Sequence, residues 1–169
     1  MPEAGNAASK SLVDKIKIQV GLYCVYILQK KVTMETLTET KSNVQLIQQA
    51  CEDFLKGNIP AVIETCSDDV EWGSYENPDV PFSATYHGKK GVAEFFTTLS
   101  ESVHYSRFDP QQFVSQGDDV LVLGHQTGTV KATGKSFDHN WCFSFKVQNG
   151  KLKRFFAYVD SRDQSKAFK

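Results

Sequence analysis

The sequence has few cysteines, and they are not spaced for metal binding or for redox chemistry. The chain of 169 residues contains only Cys24, Cys51, Cys66 and Cys142, with no Cys-x-x-Cys pair and no histidine at metal-ligand spacing. The common zinc and thioredoxin-type motifs are therefore excluded, and we expect neither a metal nor a cofactor. Because nothing in the spacing indicates disulfides, we predict a reducing compartment and a cytoplasmic location.

Basic charge and long apolar runs are also scarce. The formal net charge is −1, which argues against nucleic-acid binding, because that function needs a basic face. Its apolar run Ile16–Leu28 is too short to span a bilayer, and Lys17 and Gln19 interrupt it. The run has lysines before it, as a signal peptide does, but no small-residue cleavage site follows. We predict no nucleic-acid partner and no membrane partner. Phosphate-binding glycine loops and nucleophile elbows are also missing.

The first 40 residues differ in composition from the rest of the chain. Residues 1–11 are mostly small and polar, which is typical of a loosely held terminus. A segment beginning at Met34 would itself serve as a natural N-terminus. We therefore predict that residues 1–40 form an N-terminal extension. This extension could be disordered, or it could be foreign to the domain that follows. The domain proper is predicted over residues 41–169.

Aromatic residues are abundant, and their spacing predicts a sheet. The run Ser136–Val147 alternates strictly, so one face of a strand carries Phe137, His139, Trp141, Phe143 and Phe145. A histidine on such a face is either a satisfied core residue or a polar group aimed into a cavity, and the pattern alone favours the core. The runs Asp119–Val130 and Leu152–Asp160 predict neighbouring strands, with a hairpin turn at Asn149-Gly150.

Upstream, helical spacing alternates with further strands. One helix follows Ser42, a short one runs from Pro60 to Cys66, and a third follows His87-Gly88. Strands are predicted at Val70–Tyr75 and Val103–Gln116, the second with a bulge or an edge at Pro110. A short tail helix follows Asp160, which can cap it. Three helices on the concave side of a curved, mostly antiparallel sheet would close a cone, which is an α+β roll enclosing a pocket.

Four stretches in this order resemble the SnoaL-like and ketosteroid-isomerase-like branch of the nuclear transport factor 2-like superfamily. The resemblance covers residues 42–168, about three quarters of the chain, and is carried by Phe54–Pro60, Asp68–Trp72, Pro81–Phe96 and Asn149–Asp160. Each stretch alone is only a weak match to the family, whereas the order and spacing of all four are fairly specific for it. The resemblance implies a cone-shaped fold whose chemistry is open, because the same cone hosts isomerases, cyclases, epoxide hydrolases and non-catalytic binders.

The catalytic residues of known relatives are missing at the matching positions. The proton-shuttling Asp of ketosteroid isomerases falls near Ser74, and its two oxyanion-holding partners fall near Ala50 and Trp141. The Asp-Arg-Asp set of limonene-epoxide-hydrolase relatives falls near Gly124, Gln126 and Ala157. The resemblance therefore leaves it open whether the protein is an enzyme. If it is one, an isomerase-like or polyketide-cyclase-like reaction is implied.

Together, the strand pattern and the resemblance indicate which side chains face the pocket. We predict ligand contacts from Trp72, Ser74, Phe95, Phe96, Leu99, Gln126, Trp141, Phe155 and Val159. His139 is the best titratable candidate because the ordinary pKa of a histidine lies near neutrality, and Glu76 could pair with it at the cavity mouth. Two functions remain open. One is a protein that binds a small apolar or aromatic ligand. The other is an isomerase- or cyclase-like enzyme that transfers protons with His139 and a polar partner.

The same alternation turns other aromatic residues outward. Phe156 and Tyr158 should lie on the outer sheet face, where exposed aromatic side chains are typical of a partner surface. Members of the resembled family are often dimeric through this face. We therefore predict a homodimer through the outer face of the sheet.

Overall fold

The computed structural model describes residues 25–35 and 42–169. The chain divides into two units, Met1–Glu39 and Thr40–Lys169. In the first unit, residues 25–35 form a helix whose side chains are exposed. Residues 1–24 and 36–40 of the predicted extension lie outside the described residues, so the extension stays a prediction. Among the described residues, no helix has the length and apolar character needed to cross a membrane.

The second unit contains four helices and six strands within its described residues. The helices are α1 (42–55), α2 (Ile59–Thr65), α3 (Gly88–Ser102) and α4 (Ser161–Phe168). The strands are β1 (Cys66–Ser74), β2 (Thr85–His87), β3 (Val103–Gln116), β4 (Asp119–Val130), β5 (Ser136–Gln148) and β6 (Lys151–Val159). The predicted order of elements is confirmed, with β2 as an addition.

All six strands form one curved, unclosed sheet in the order β2-β1-β6-β5-β4-β3. Every neighbouring pair is antiparallel except β1 and β6, which run parallel. Residues along β4 and β5 alternate between buried and more exposed positions, as the period of two predicts. The α+β cone expected from the sequence is confirmed.

Turn chemistry determines where the strands begin and end. Asn149 and Gly150 both have positive φ, 53° and 68°, which is the conformation of a tight hairpin turn between β5 and β6. Proline cannot donate to a sheet ladder, so it belongs at an edge or a bulge. Pro110 meets both conditions, because β3 is an edge strand and its register with β4 shifts between Pro110 and Gln112.

Two local predictions were wrong. Cys66 begins β1 rather than ending the second helix, since its backbone is extended and it pairs with Leu152 of β6. The three-residue strand β2 was not predicted at all, although it pairs with β1 through Glu71, Trp72 and Gly73. Both features depend on pairing with a distant part of the chain, which local periodicity does not reveal.

The tail helix α4 is bound to two separate loops. Asn77 donates from its side chain to Ser165 Oγ at 2.9 Å, and Thr133 donates to the carbonyl of Ala167 at 2.6 Å. Asp160 caps the helix as predicted, accepting from the backbone N–H of Asp163 at 3.0 Å. These contacts place α4 beside the end of β5 that extends beyond β6.

Candidate functional site

A cavity lies between the helices and the concave face of the sheet. It is partly open to solvent. Phe54, Phe95 and Phe96 line it from the helices. The sheet contributes Phe143, Phe145 and Phe155, among others. A cavity lined in this way suits a flat apolar molecule, because aromatic rings bury large areas and stack on other rings.

Most of the predicted ligand-binding residues line this cavity. They are Trp72, Ser74, Phe95, Phe96, Leu99, Gln126, Phe155 and Val159. Trp72 stacks on Phe155 with ring centroids 4.1 Å apart, so two neighbouring strands present a continuous aromatic wall. Their contact with a ligand remains a prediction.

Trp141, by contrast, packs behind the cavity wall. It is buried, and it stacks on Phe143 at 4.0 Å and on Phe108 at 5.0 Å, both of which line the cavity. The indole lies over Gly124, its partner on β4, where a Cβ would collide with the ring and would stand 2.5 Å from the carbonyl oxygen of Asp109. Glycine is needed at this position because the indole occupies the space of a side chain. Trp141 is buried, as the alternation of β5 predicts, but it does not line the cavity, so the predicted ligand contact is not supported at this residue.

His139 lies in a row of three polar side chains that leads toward the cavity. Its Nδ1 is 3.1 Å from Asp163 Oδ2, and its Nε2 is 2.8 Å from Gln126 Nε2. Gln126 lines the cavity, whereas His139 does not. The imidazole, which is 5% exposed, therefore meets the cavity only through the amide of Gln126.

The carboxylate of this row is that of Asp163, which lies on α4. It can approach β5 because β6 is short and leaves the first residues of β5 unpaired on that side. β5 pairs with β6 only from Trp141 onward, which leaves Asp138 and His139 beside the first turn of α4. Asp163 Oδ2 accepts from the backbone N–H of Asp138 at 3.0 Å as well as from His139. The hydrogen bond from His139 lowers the pKa of the Asp163 carboxyl below its ordinary value, and the Asp138 N–H adds to the effect.

Glu76 does not take the place that was predicted for it. It is exposed in the loop after β1 and is not among the hydrogen-bond partners of His139 in the described part of the chain. β1 ends at Ser74, so the strand parity that would have turned Glu76 inward is lost in the following turn. Asp163 is the carboxylate beside His139. The catalytic roles of His139 and Glu76 remain predictions.

Several polar groups of the cavity were not predicted from the sequence. Gln164 of α4 is 5% exposed, lines the cavity, and its side chain makes no hydrogen bond with any residue that the structure describes. Tyr105 of β3 also lines it, and burial raises the pKa of its hydroxyl. Ser83 was also missed, and its hydroxyl oxygen lies 3.3 Å from that of Ser74, which was predicted.

One of the missed residues could have been predicted from a pattern in the sequence, and another could not. Strand parity could have found Tyr105, which shares a face with the buried Val103. Gln164 had no such signal, because its inward position depends on where α4 docks. Among residues 25–35 and 42–169, no cluster of three His, Cys, Asp or Glu side chains could hold a metal ion.

A family model for the SnoaL-like domain matches residues 47–155. The chain therefore belongs to the SnoaL-like family of the nuclear transport factor 2-like superfamily. A search of curated protein sequences finds no match.

Solved structures share the fold across nearly their whole length. A nuclear transport factor 2-like protein from Burkholderia xenovorans LB400 is 29% identical, with a TM-score of 0.71 over 77% of this chain and 98% of that one. A candidate polyketide cyclase from Xanthomonas campestris pv. campestris is 17% identical, with a TM-score of 0.67 over 78% and 99%. TerC, co-crystallised with polyporic acid, is 21% identical, with a TM-score of 0.66 over 75% and 98%. At the lower identities, the likeness shows the fold alone.

Proposed function

We propose that this protein binds a small, flat, largely apolar molecule in the cavity of its cone. The observation that carries the proposal is the aromatic cavity, into which only a few polar side chains such as Gln126 and Gln164 project. Such a lining gives affinity through buried ring area, and the sparse polar groups give orientation. The complex of TerC with polyporic acid supports the proposal by analogy of fold.

Calorimetric titration of the full chain with 2-naphthol tests this proposal. Two variants at adjacent positions of β6 serve as a matched pair. Ala157 lines the cavity and Tyr158 is exposed on the other face, so Ala157→Trp fills the cavity and Tyr158→Trp leaves it open. We expect saturable binding to the wild type and to Tyr158→Trp, and none to Ala157→Trp. Equal binding by all three, or no binding by the wild type, would overturn the proposal.

A second candidate is an isomerase- or cyclase-like enzyme that transfers protons. The row Asp163–His139–Gln126 favours it, since a carboxylate that fixes an imidazole is a common arrangement in general acid–base catalysis. The row also argues against direct transfer, because the amide of Gln126 stands between Nε2 and the cavity. His139→Ala separates the candidates. Loss of turnover with binding retained supports catalysis, whereas loss of binding alone supports a receptor.

We also propose that the protein is a homodimer that associates through its outer sheet face. Val114, Leu121, Leu123 and Tyr158 are each at least 40% exposed there. Tyr75 is 71% exposed, and its ring lies 5.0 Å from that of Phe156 and 6.0 Å from that of Tyr158. Apolar surface of this kind is typically covered by a partner. Sedimentation equilibrium of the full chain should give twice the mass of 19.0 kDa, and a monomer would refute the proposal.

A further inference from the structure

The amide of Gln126 is the point where the buried polar row meets the cavity. Gln126 is 2% exposed and His139 is 7% exposed, so both side chains are largely shielded from bulk water. Their contact joins paired positions of β4 and β5. At this point β4 is held by ladders on both sides, whereas β5 is held by β4 on one side and by the hydrogen bonds to Asp163 on the other. The amide is therefore held by its neighbours, and its orientation is part of the fold.

Donor and acceptor chemistry determines which way this amide faces. The Asp163 carboxylate can only accept, so Nδ1 of His139 carries a hydrogen and donates to Oδ2 across 3.1 Å. In the neutral imidazole, Nε2 then has a free lone pair and must accept. The N–H of Gln126 Nε2, at 2.8 Å, is the donor that it meets.

The other end of the Gln126 amide is then an acceptor without a partner. Gln126 Oε1 makes no hydrogen bond with any residue among 25–35 and 42–169, and the side chain that carries it lines the cavity. The oxygen is not one of the fully buried unpaired side-chain atoms in that part of the chain, so it keeps some accessible surface. A ligand that supplies a donor to this acceptor exchanges a hydrogen bond with water for one inside the cavity, and it gains affinity because the amide is already oriented.

We propose that Asp163 and His139 act as positioning residues that present the carbonyl oxygen of Gln126 to the cavity. The site then selects flat ring molecules that carry a hydroxyl or N–H donor, and it rejects ethers and unsubstituted rings of the same shape. This inference rests on the proposed binding function and names the chemical class of the ligand. Gln126 is the specificity-determining residue, and His139 acts through it.

The test compares three probes that differ only at one ring position. Dissociation constants are measured for 2-naphthol, 2-methoxynaphthalene and naphthalene with the full chain at pH 7.5. We expect 2-naphthol to bind about tenfold more tightly than the ether, the difference that one well-formed hydrogen bond supplies. Naphthalene should resemble the ether, which shows that the preference does not arise from the bulk of the methyl group.

Two variants show whether the preference comes from the polar row. Gln126→Leu should abolish the preference while naphthalene still binds. His139→Phe should reduce it, because the amide is then free to rotate. A purely structural role for His139 would weaken all three probes alike and leave the ratio unchanged, which would overturn the positioning role.

A spectroscopic measurement on the wild type keeps the inference testable if His139→Phe does not fold. Long-range ¹H–¹⁵N spectra should show His139 protonated at Nδ1 and bare at Nε2, and the opposite tautomer would overturn the inference. The titrations also separate the two proposals. Equal affinity for all three probes would overturn the selectivity and leave the binding function standing, whereas no binding of any probe would overturn both.

Discussion

The β4–β5 ribbon carries one histidine–carboxylate pair on each of its faces. On the outer face, His125 Nε2 is 3.2 Å from Asp138 Oδ1. On the inner face, His139 Nδ1 is 3.1 Å from Asp163 Oδ2. The two pairs have similar N–O distances. They include consecutive residues of β5, Asp138 and His139, which face opposite sides of the sheet, so the pairs differ in their surroundings.

The surroundings give the two pairs different roles. The outer carboxylate is 64% exposed, and its partners Thr127 and His125 both lie on the adjacent strand. The inner carboxylate is 32% exposed and belongs to α4, and its imidazole is 5% exposed where the outer imidazole is 19% exposed. The outer pair adds little to strands that are already paired, because water screens it. The inner pair connects the sheet, the tail helix and the cavity.

Gly124→Ala should have the largest effect on the inner face. The added Cβ would collide with the indole of Trp141 and with the carbonyl of Asp109, which belongs to the neighbouring backbone and has little room to move. We expect a loss of about 3 kcal/mol in the free energy of unfolding, measured by urea denaturation. His125→Ala, at the next residue on the outer face, is the control and should cost far less. Equal losses would contradict the assignment of the faces.

Asp163→Asn and Asp138→Asn test the inner and outer carboxylates against each other. The inner substitution weakens two hydrogen bonds to one oxygen, so we expect a loss of about 1 kcal/mol in unfolding free energy, allowing for partial exposure of the carboxylate. The outer substitution should leave stability unchanged within error. A larger loss from Asp138→Asn would reverse the interpretation of the two faces.

The dependence of stability on pH should sharpen the same contrast. The pKa of Asp163 is lowered in the folded protein, chiefly by its hydrogen bond from His139. A lowered folded-state pKa contributes stability that is complete above the unfolded value, ordinarily 3.8, and is lost as the pH falls through the folded value. The stability difference between wild type and Asp163→Asn should therefore be constant near pH 6 and shrink below about pH 4. A difference that grows in acid would contradict this account.

The smallest effect on stability is expected from Leu123→Lys on the outer apolar surface. Leu123 is 42% exposed, so the change should alter the stability of the single chain by about 0.5 kcal/mol or less. It should nevertheless halve the mass measured by sedimentation if the outer face joins two copies. Thr129→Lys, farther along the same face of β4, is the control and should remain dimeric. A dimer that persists in Leu123→Lys would place the interface elsewhere.

Features that depend on neighbouring residues could be predicted from the sequence. The alternation in Ser136–Val147 and the Asn149-Gly150 turn predicted β5 and its hairpin, and Pro110 predicted the irregular edge strand. The start of β1 at Cys66 was missed, because it is determined by pairing with Leu152, far away in the chain. The helical spacing of apolar residues before Cys66 carries no information about that distant partner.

The same limit applies to the site. Parity placed Trp72, Gln126 and Phe155 in the cavity wall correctly. The position of Gln164 and the pairing of Asp163 with His139 depend on the docking of α4, which distant hydrogen bonds from Asn77 and Thr133 maintain. Local sequence pattern identified α4 as a helix but could not show what it contacts.

The most direct test of the central claim follows side-chain amide resonances while 2-naphthol is added to the ¹⁵N-labelled protein. Gln126 and Gln164 line the cavity, whereas Asn140 accepts a hydrogen bond from His125 on the outer face. We predict that the amide signals of Gln126 and Gln164 shift together and saturate while that of Asn140 stays in place. Stationary glutamine signals, or a shift confined to Asn140, would contradict the account.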